Sequence, residues 1–189
     1  MISINNLYKA FGDNKIFENF SYEFPKNKVV CISGKSGIGK TTLLRLISGL
    51  EKADKGDIIV NGSVSFLFQE NRLLPWLNAE ENIACVLNGD KGDKLKRARA
   101  LLKSVGLKGN EKQEISNLSG GMKRRVAFAR ALAPEPDILL LDEPFTGLDD
   151  ETRLELTRIV KDYSKNHLVI MVTHSDEDIK NLADFIITI

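Results

Sequence analysis

The stretch "VVCISGKSGIGKTTLLRL", residues 29–46, decides the fold. An apolar, β-branched run enters a glycine-rich loop. Leu43, Leu46, Ile47 and Leu50 follow the loop on one helical stripe. The loop fits the phosphate-binding pattern GxxxxGK[ST] in the order of strand, loop and helix that the pattern requires. We therefore predict a polyphosphate site formed by the loop amides and the N-terminus of the helix. The residues assigned to this site are Gly34, Lys35, Ser36, Gly37, Ile38, Gly39, Lys40, Thr41 and Thr42.

Two side chains of the loop and two carboxylates further along define the expected chemistry. Lys40 is expected to contact the β and γ phosphates, and Thr41 to offer its hydroxyl to Mg²⁺. The run "ILLLDEP" ends an apolar strand in Asp142, which can supply a carboxylate to the Mg²⁺ shell. Glu143 follows directly and is suited to activate water as a general base. This combination predicts phosphoryl-transfer chemistry on a nucleoside triphosphate, and it fits kinases, motors and GTPases alike.

The other apolar runs indicate the main sheet. Short runs of the same kind recur at 64–68, 138–142, 168–173 and 185–189. Continuous apolar strands are typical of a parallel sheet that is covered on both faces, and the helical patterns between them indicate an α/β protein. With 189 residues, the chain is long enough for one well-buried domain.

The N-terminal segment and the middle of the chain depart from this pattern. "ISINNLYKAF" and "FENFSYEF" alternate apolar and polar residues, and with "DIIVNG" they predict a small antiparallel sheet. The middle of the chain is mostly helical. We predict an α/β fold, a P-loop NTPase core with a mostly parallel sheet, a small N-terminal antiparallel β subdomain and an inserted α-helical subdomain. The single domain spans 1–189; 1–77 and 134–189 form the core with the β subdomain, and 78–133 form the helical subdomain.

The overall charge balance does not indicate binding to a polyanion or to a membrane surface. There are 27 basic and 26 acidic residues, for a formal charge of +1. The basic segment "KLKRARALLK" places Leu95, Ala98, Leu101 and Leu102 on one helical face, so we predict a solvated basic face and no nucleic-acid site.

Two further sequence features bear on location and redox chemistry. No apolar run approaches a membrane span and the start has no leader pattern, so we expect a cytoplasmic chain. Cys31 and Cys85 are too far apart for a close-spaced metal site and both have apolar neighbours, so we predict buried thiols.

The segment "NLSGGMKRRVAFARALAPEPDILLLDEP" narrows the family. It resembles the signature segment of ATP-binding cassette (ABC) ATPases, whose LSGGQ motif here is Leu118, Ser119, Gly120, Gly121 and Met122. Ser119 and the glycines open a helix whose free amides favour an anion, although Ser119 is also a good N-cap. The resemblance implies a head-to-tail dimer in which each ATP lies between one phosphate loop and the partner's signature. Met122 replaces the usual glutamine, as in several importer ATPases.

Four more residues match the family pattern. Phe11 resembles the aromatic that stacks on adenine, with Tyr8 as the competing candidate and packing on the small sheet as the structural alternative. Asp149 in "FTGLDD" resembles the D-loop residue that faces the partner subunit. His174 resembles the switch histidine that contacts the γ phosphate. Gln69 resembles the Q-loop glutamine, which reaches Mg²⁺ or the attacking water.

Together these motifs most resemble the ATPases of nitrate, sulfonate and taurine importers. The resemblance implies ATP and Mg²⁺ as cofactors and a chain that sits on the inner face of the cell membrane. Its implied partners are permease subunits, a second copy of the chain and an extracytoplasmic solute-binding protein, with no nucleic acid. A soluble ABC-type ATPase acting on nucleic acid or ribosomes is the alternative, while a P-loop kinase would leave "LSGG" unexplained.

The run "FQENRLLPWL", residues 68–77, carries both Gln69 and the only tryptophan, Trp76. Gln69 is expected to face the nucleotide. The apolar residues after it suit a groove for a short cytoplasmic helix of the permease. The alternative is that Trp76 belongs to the core of the helical subdomain. The expected groove residues are Leu73, Leu74, Pro75, Trp76 and Leu77.

Overall fold

The computed structural model describes all 189 residues as two sheets and six α-helices. The strands are β1 Ile2–Phe11, β2 Asn14–Glu23, β3 Val29–Ser33, β4 Lys55–Val60, β5 Val64–Leu67, β6 Ile138–Asp142, β7 Leu168–Val172 and β8 Phe185–Thr188. The helices are α1 Lys40–Ile47, α2 Ala79–Ala84, α3 Lys91–Ser104, α4 Gly120–Leu132, α5 Asp150–Tyr163 and α6 Asp176–Leu182, with a 3₁₀ turn at Ile115–Asn117.

The main sheet is parallel, and its central strands β6, β7 and β3 are buried on both faces. Its strand order is β5, β6, β7, β3, β8, and every neighbouring pair is parallel. Successive residues of the central strands point to opposite sides: Leu139 and Leu141 enter one core, whereas Ile138 and Leu140 enter the other. This two-sided burial explains why the strands are apolar throughout, without alternation.

The small sheet lies at the N-terminus, as predicted. Its order is β2, β1, β4, with both pairs antiparallel. Ile2, Ile4 and Leu7 point from β1 into the core that also holds α1. The alternation in the sequence arises because only one face of this sheet is covered. The predicted fold class is therefore confirmed.

The helices α2, α3 and α4 all lie between β5 and β6 in the chain. Ala98 and Leu102 of α3 are buried against the larger core, with Leu95 and Leu101 half-buried beside them. The basic segment is thus a helix with an apolar inner face and a charged outer face. The exact boundaries at 77/78 and 133/134 stay predictions.

Two sequence expectations about burial are wrong. Leu50, which we placed on the apolar stripe of α1, is 60% exposed because the helix ends at Ile47. Cys85, the C-cap of α2, is exposed. Cys31, in the middle of β3, is buried as expected. None of the helices has the length and apolar character that a bilayer crossing requires.

Candidate active site

Four neighbouring strands deliver the predicted site residues to one edge of the main sheet. β3 leads into the phosphate loop, β5 into Gln69, β6 ends in Asp142, and β7 leads to His174. The register pairs Asp142 with Val172, so the loops after β6 and β7 begin side by side. Ligands of parallel α/β sheets bind at the carboxyl ends of the strands, and this edge is such a position.

A cleft of about 540 Å³ opens at this edge. Its size is in the usual range for small-molecule sites, and its lining is almost entirely polar or glycine. Such a lining suits a charged ligand. The residues that line the cleft are Ser36, Gly37, Gly39, Lys40, Thr41, Thr42, Gln69, Asp142, Glu143, Thr146, Val172 and His174.

The phosphate loop has a backbone that only glycine accommodates. Gly37 and Gly39 have φ angles of +79° and +121°. A Cβ on Gly39 would also collide with a methyl group of Ile16, which packs beneath the loop. α1 then begins at Lys40 with no side-chain cap. Its first amides are therefore free to bind an anion, and the helix dipole favours one there.

Lys40 lies inside the loop. Its side chain is buried, and its ammonium donates hydrogen bonds to the carbonyl oxygens of Gly34 at 2.8 Å and Lys35 at 2.9 Å. Both carbonyls belong to the loop that wraps the expected phosphate position. The ammonium is thus fixed at the floor of the cleft as a point charge for a phosphate oxygen.

Thr41 and Asp142 join the phosphate loop to β6. The Thr41 hydroxyl donates a hydrogen bond of 2.9 Å to Oδ2 of Asp142. The carboxylate is buried and its Oδ1 has no hydrogen-bond partner. Burial raises the pKa of Asp142, while the Thr41 hydrogen bond acts in the opposite direction. A buried carboxylate oxygen with no donor fits a hard cation such as Mg²⁺, which prefers oxygen ligands.

No cluster of three His, Cys, Asp or Glu side chains exists that could hold a metal ion. Mg²⁺ in phosphate sites commonly takes one or two protein oxygens and completes its shell with phosphates and water. The residues present therefore fit Mg²⁺ only together with a bound polyphosphate.

Glu143 projects into the same cleft from a strained backbone. Its φ is +48°, and its amide donates to the carbonyl of Val172 at 2.9 Å. Oε1 has no hydrogen bond; Nε2 of the His174 imidazole lies 3.5 Å from it, without hydrogen-bond geometry. Burial raises the pKa of Glu143, and His174 opposes the shift. A carboxylate with a raised pKa and a free oxygen suits a general base.

His174 is exposed, but the chain on both sides of it is fixed. The Thr173 hydroxyl donates to Asp178 at 3.1 Å, and Arg153 makes two hydrogen bonds to the same carboxylate at 2.7 and 2.9 Å. Arg153 also donates to the Ser175 hydroxyl at 2.7 Å. Because Arg153 lies on α5, this helix holds the loop that carries His174.

The remaining predicted residues do not reach this cleft. Ser119 and Asp149 are exposed N-caps: Ser119 accepts from the Met122 amide at 3.2 Å, and Asp149 from the Thr152 amide at 2.9 Å. The alternative that Ser119 is a helix cap is therefore realised, and it leaves the hydroxyl at a helix N-terminus. The predicted residues outside the cleft are Phe11, Gly34, Lys35, Ile38, Ser119, Gly120, Gly121 and Asp149.

Both candidates for adenine stacking are accessible. Phe11 ends β1 with 49% of its surface exposed, and Tyr8 is 37% exposed. The Lys9 ammonium lies 4.8 Å from the centre of the Phe11 ring. The choice between Phe11 and Tyr8 stays a prediction.

Trp76 does not belong to the core, so that alternative is wrong. It is 75% exposed and sits in a tight turn in which the Leu77 amide donates to the Leu74 carbonyl at 3.2 Å. The turn is held from beneath by Asn82, which is fully buried. The Asn82 side chain accepts from the Leu74 amide and donates to the carbonyls of Leu74, Leu77 and Asn78, at 2.8 to 3.2 Å.

Sequence reasoning missed two buried polar residues, Asn82 and Arg124. Arg124 is 3% exposed, on α4, and donates to two loops of the cleft. A signal exists in hindsight: each is a polar residue at a helical position that faces the core.

The fold and this cleft define a P-loop nucleotide-binding protein. Comparison with known proteins supports the same class and narrows it. The ABC transporter family profile matches residues 17–146. An aliphatic sulfonates import ATP-binding protein of Shouchella clausii is 40% identical over 187 residues, which cover 97% of this chain and 74% of that protein. One from Nocardia farcinica is 41% identical, covering 100% of this chain and 77% of that protein.

Solved structures give the same result. A dimeric ATP-binding cassette in a post-hydrolysis state, bound to ADP and Pi, is 27% identical with a TM-score of 0.92, and the alignment covers 100% of this chain and 94% of that one. A dimeric bacterial ABC transporter cassette is 28% identical with a TM-score of 0.93, at the same coverage. The chain therefore belongs to the ABC transporter family. It is the ATP-binding subunit type of that family, an ATPase.

Proposed function

We propose that this chain hydrolyses Mg²⁺-bound ATP in the cleft and thereby drives import of a small solute through a membrane permease. One observation carries the assignment of the site: four strand-end loops bring Lys40, Gln69, two carboxylates with unpartnered oxygens and His174 around one polar cleft. A triphosphate would give the free amides and the Lys40 ammonium their missing anion. Mg²⁺, held by Thr41 and Asp142, would supply further neutralisation of phosphate charge.

In the proposed reaction, Glu143 accepts a proton from the attacking water. The water oxygen forms a bond to the γ phosphorus as the bond to the β–γ bridging oxygen breaks, releasing ADP and phosphate. Lys40 and the loop amides stabilise the charge on the phosphoryl oxygens. His174 and Gln69 orient the γ phosphate and the water from opposite sides of the cleft.

Lys40→Ala tests the assignment of the cleft. We expect Mg²⁺-ATP affinity and hydrolysis to fall by about 100-fold or more, since one preorganised charge contact is commonly worth that much. Lys165→Ala is the control, because Lys165 is an exposed partner of Asp162 on the far end of α5. Unchanged ATP binding in Lys40→Ala would place the nucleotide elsewhere.

We propose further that the site is completed by a second copy of the chain. In support, Ser119, Gly120, Gly121 and Asp149 lie outside their own cleft, while the free amides of α4 begin at the exposed Ser119. The similar solved structures are dimers. A partner's α4 could therefore contribute the second anion site, with Asp149 at the contact between copies.

Mixing two inactive variants tests this sharing. Ser119→Arg and Lys40→Ala, mixed in equal amounts, should form dimers in which one composite site holds both lesions and the other is intact. Recovery of part of the activity is expected. No activity at any mixing ratio would count against sharing between subunits.

We propose that the permease docks on the turn that presents Trp76. A tryptophan with 75% of its surface exposed, on a turn fixed by a buried asparagine, suits an apolar anchor for a partner helix. The turn begins at Leu74, five residues after Gln69, so docking could be transmitted to the cleft through that segment. With the permease docked there, the chain would lie on the cytoplasmic face of the membrane.

Trp76→Ala should leave the free energy of unfolding unchanged within about 0.5 kcal/mol, because the side chain is exposed. Basal ATP hydrolysis should also persist. In vesicles with the co-purified permease, ATP-driven uptake should be lost. Uptake at the wild-type rate would exclude the turn as the docking site.

Import of a sulfur oxyanion is favoured by the relatives. Two are named as aliphatic sulfonates import proteins, and a sulfate/thiosulfate import ATP-binding protein of Synechocystis is 41% identical over 98% of this chain and 57% of that protein. An extracytoplasmic solute-binding protein would then deliver the solute. Uptake assays with sulfonates and sulfate test this assignment, and copurification with ribosomes or DNA in place of a permease would overturn it.

A further inference from the structure

The buried side chain of Arg124 makes six hydrogen bonds to residues outside its own helix. Its guanidinium bonds two separate loops. Nη1 donates to the carbonyls of Phe68 at 2.6 Å and Gln69 at 3.0 Å, and to Oδ1 of Asn71 at 3.3 Å. Nη2 donates to the carbonyls of Asp142 at 2.8 Å and Glu143 at 2.7 Å, and Nε to that of Pro144 at 3.0 Å.

The two loops are the ones that carry reacting groups of the cleft. The first holds Gln69, and the second holds Asp142 and Glu143. Arg124 bonds mainly to the main chains of these loops and is not among the residues that line the cleft. The planar fork of the guanidinium fixes the directions of its donors, and hence the distance between the two sets of carbonyls.

The pKa and the hydrogen bonds of Arg124 agree with a side chain that is charged and held in one position. Burial lowers the pKa of Arg124 to about 10, whereas the nearby charges of Asp142 and Glu143 act in the opposite direction. The side chain therefore remains charged at neutral pH. A buried charge is tolerated only where its donors are satisfied, and five main-chain carbonyls do this here.

Arg124 also links these loops to the signature helix. It lies on α4, five residues after the exposed N-cap Ser119. Any displacement of α4 would be transmitted to both loops at once through one rigid group. This connection runs within the chain and needs no contact between Arg124 and a ligand.

We propose that Arg124 is a positioning residue that sets the separation of Gln69 and Glu143 across the cleft and couples both to the signature helix. The proposal rests on the proposed function, because it assumes that ATP is hydrolysed between these two side chains. Nucleotide binding itself depends on the phosphate loop, which Arg124 does not touch.

Arg124→Lys is the test, since lysine keeps the charge but cannot hold both loops with one planar fork. Under saturating Mg²⁺-ATP, we expect single-turnover hydrolysis to fall by roughly 10- to 100-fold, in line with the cost of an ångström-scale misplacement. The Kd for ATP should stay within about threefold of wild type, as expected when only transition-state geometry is lost. Arg97→Lys is the matched control: Arg97 also donates to a main-chain carbonyl, that of Ala133, at 3.3 Å, but outside the cleft.

Two results would overturn the proposal. The first is hydrolysis by Arg124→Lys at the wild-type rate. The second is a parallel loss of hydrolysis and ATP affinity, which would indicate a binding role. If Arg124→Lys fails to fold, Arg124→Gln removes the buried charge and keeps an amide donor; a folded Arg124→Gln with reduced turnover and unchanged Kd supports the proposal.

Failure of both variants to fold would assign Arg124 a structural role only and would overturn positioning. Failure of the proposed function looks different. In that case the wild-type chain and the Arg97→Lys control would themselves show no ATP binding in the cleft.

Discussion

Glu143→Gln separates the chemistry of the cleft from its binding function. Glutamine has the size of glutamate and cannot accept the proton of the attacking water. Loss of a general base commonly costs about 10²- to 10⁴-fold in rate. At about 1.4 kcal/mol per tenfold, this is roughly 3 to 5 kcal/mol of transition-state stabilisation. The contacts expected to hold the phosphates, made by Lys40, Thr41 and the loop amides, are unchanged, so ATP should still bind.

The same substitution should stabilise the free protein at neutral pH. Burial raises the pKa of Glu143 above its value in the unfolded chain, so its ionisation opposes folding. The stability that the protonated form contributes is complete below the unfolded pKa and is lost as pH rises through the folded one. Glu143→Gln should therefore melt above wild type at pH 7 to 8, and the two curves should converge near pH 4.

The assays are phosphate release, nucleotide titration and thermal melting at several pH values. Glu135→Gln is the control, because Glu135 is 75% exposed and pairs with Arg97 on the surface. Retained ATP affinity with hydrolysis reduced at least 100-fold is the expected result, together with accumulation of a nucleotide-bound dimer in size-exclusion chromatography. Hydrolysis at the wild-type rate would remove Glu143 from the role of base, and a simultaneous loss of binding would show that the carboxylate acts in ATP capture.

Three further predictions concern a ligand residue of the cleft, the asparagine that holds the Trp76 turn and the two cysteines. Thr41→Val removes the hydroxyl that bonds Asp142, so the Mg²⁺ concentration needed for half-maximal hydrolysis should rise by about tenfold; an unchanged Mg²⁺ titration would argue against Thr41 as a ligand. Asn82→Ala leaves main-chain groups of the 74–78 turn without partners, so the free energy of unfolding in urea should fall by about 3 kcal/mol. The control Asn88→Ala, at an exposed position, should change it little. A loss below about 1 kcal/mol in Asn82→Ala would show that water replaces the amide. One thiol per native chain should react with a thiol reagent, namely Cys85, because Cys31 is fully buried and burial raises its pKa to about 12; two fast-reacting thiols would mean that β3 opens.

The fold could be predicted from the sequence because the apolar pattern of each strand shows whether one or both of its faces are buried. The runs at β3, β6 and β7 are apolar at every position, and the structure buries both of their faces. The alternation in β1 matches a sheet with one covered face. The phosphate loop could also be predicted from local sequence. Its backbone has positive φ angles at Gly37 and Gly39, and the motif supplies the glycines that such angles favour.

What escaped prediction depends on distant contacts. Arg124 is polar by sequence but buried, because carbonyls from residues 68–69 and 142–144 converge on it. Trp76 left two alternatives open for a related reason: it is exposed on a turn that is held by a group elsewhere in the chain. That group, Asn82, is eight residues from Leu74 in sequence and gave no pattern of its own.

The cleft brings together several groups that lack bonding partners in the free protein. Two carboxylates with raised pKa values, each with an oxygen that has no hydrogen bond, lie beside a helix N-terminus without a side-chain cap. Each of these features opposes folding in isolation. A cation beside Asp142, a polyphosphate at α1 and a water molecule at Glu143 would satisfy all of them together. The same groups that oppose folding of the free site would therefore contribute affinity for Mg²⁺-ATP, and the buried Arg124 that bonds both loops would keep those groups from relaxing towards one another.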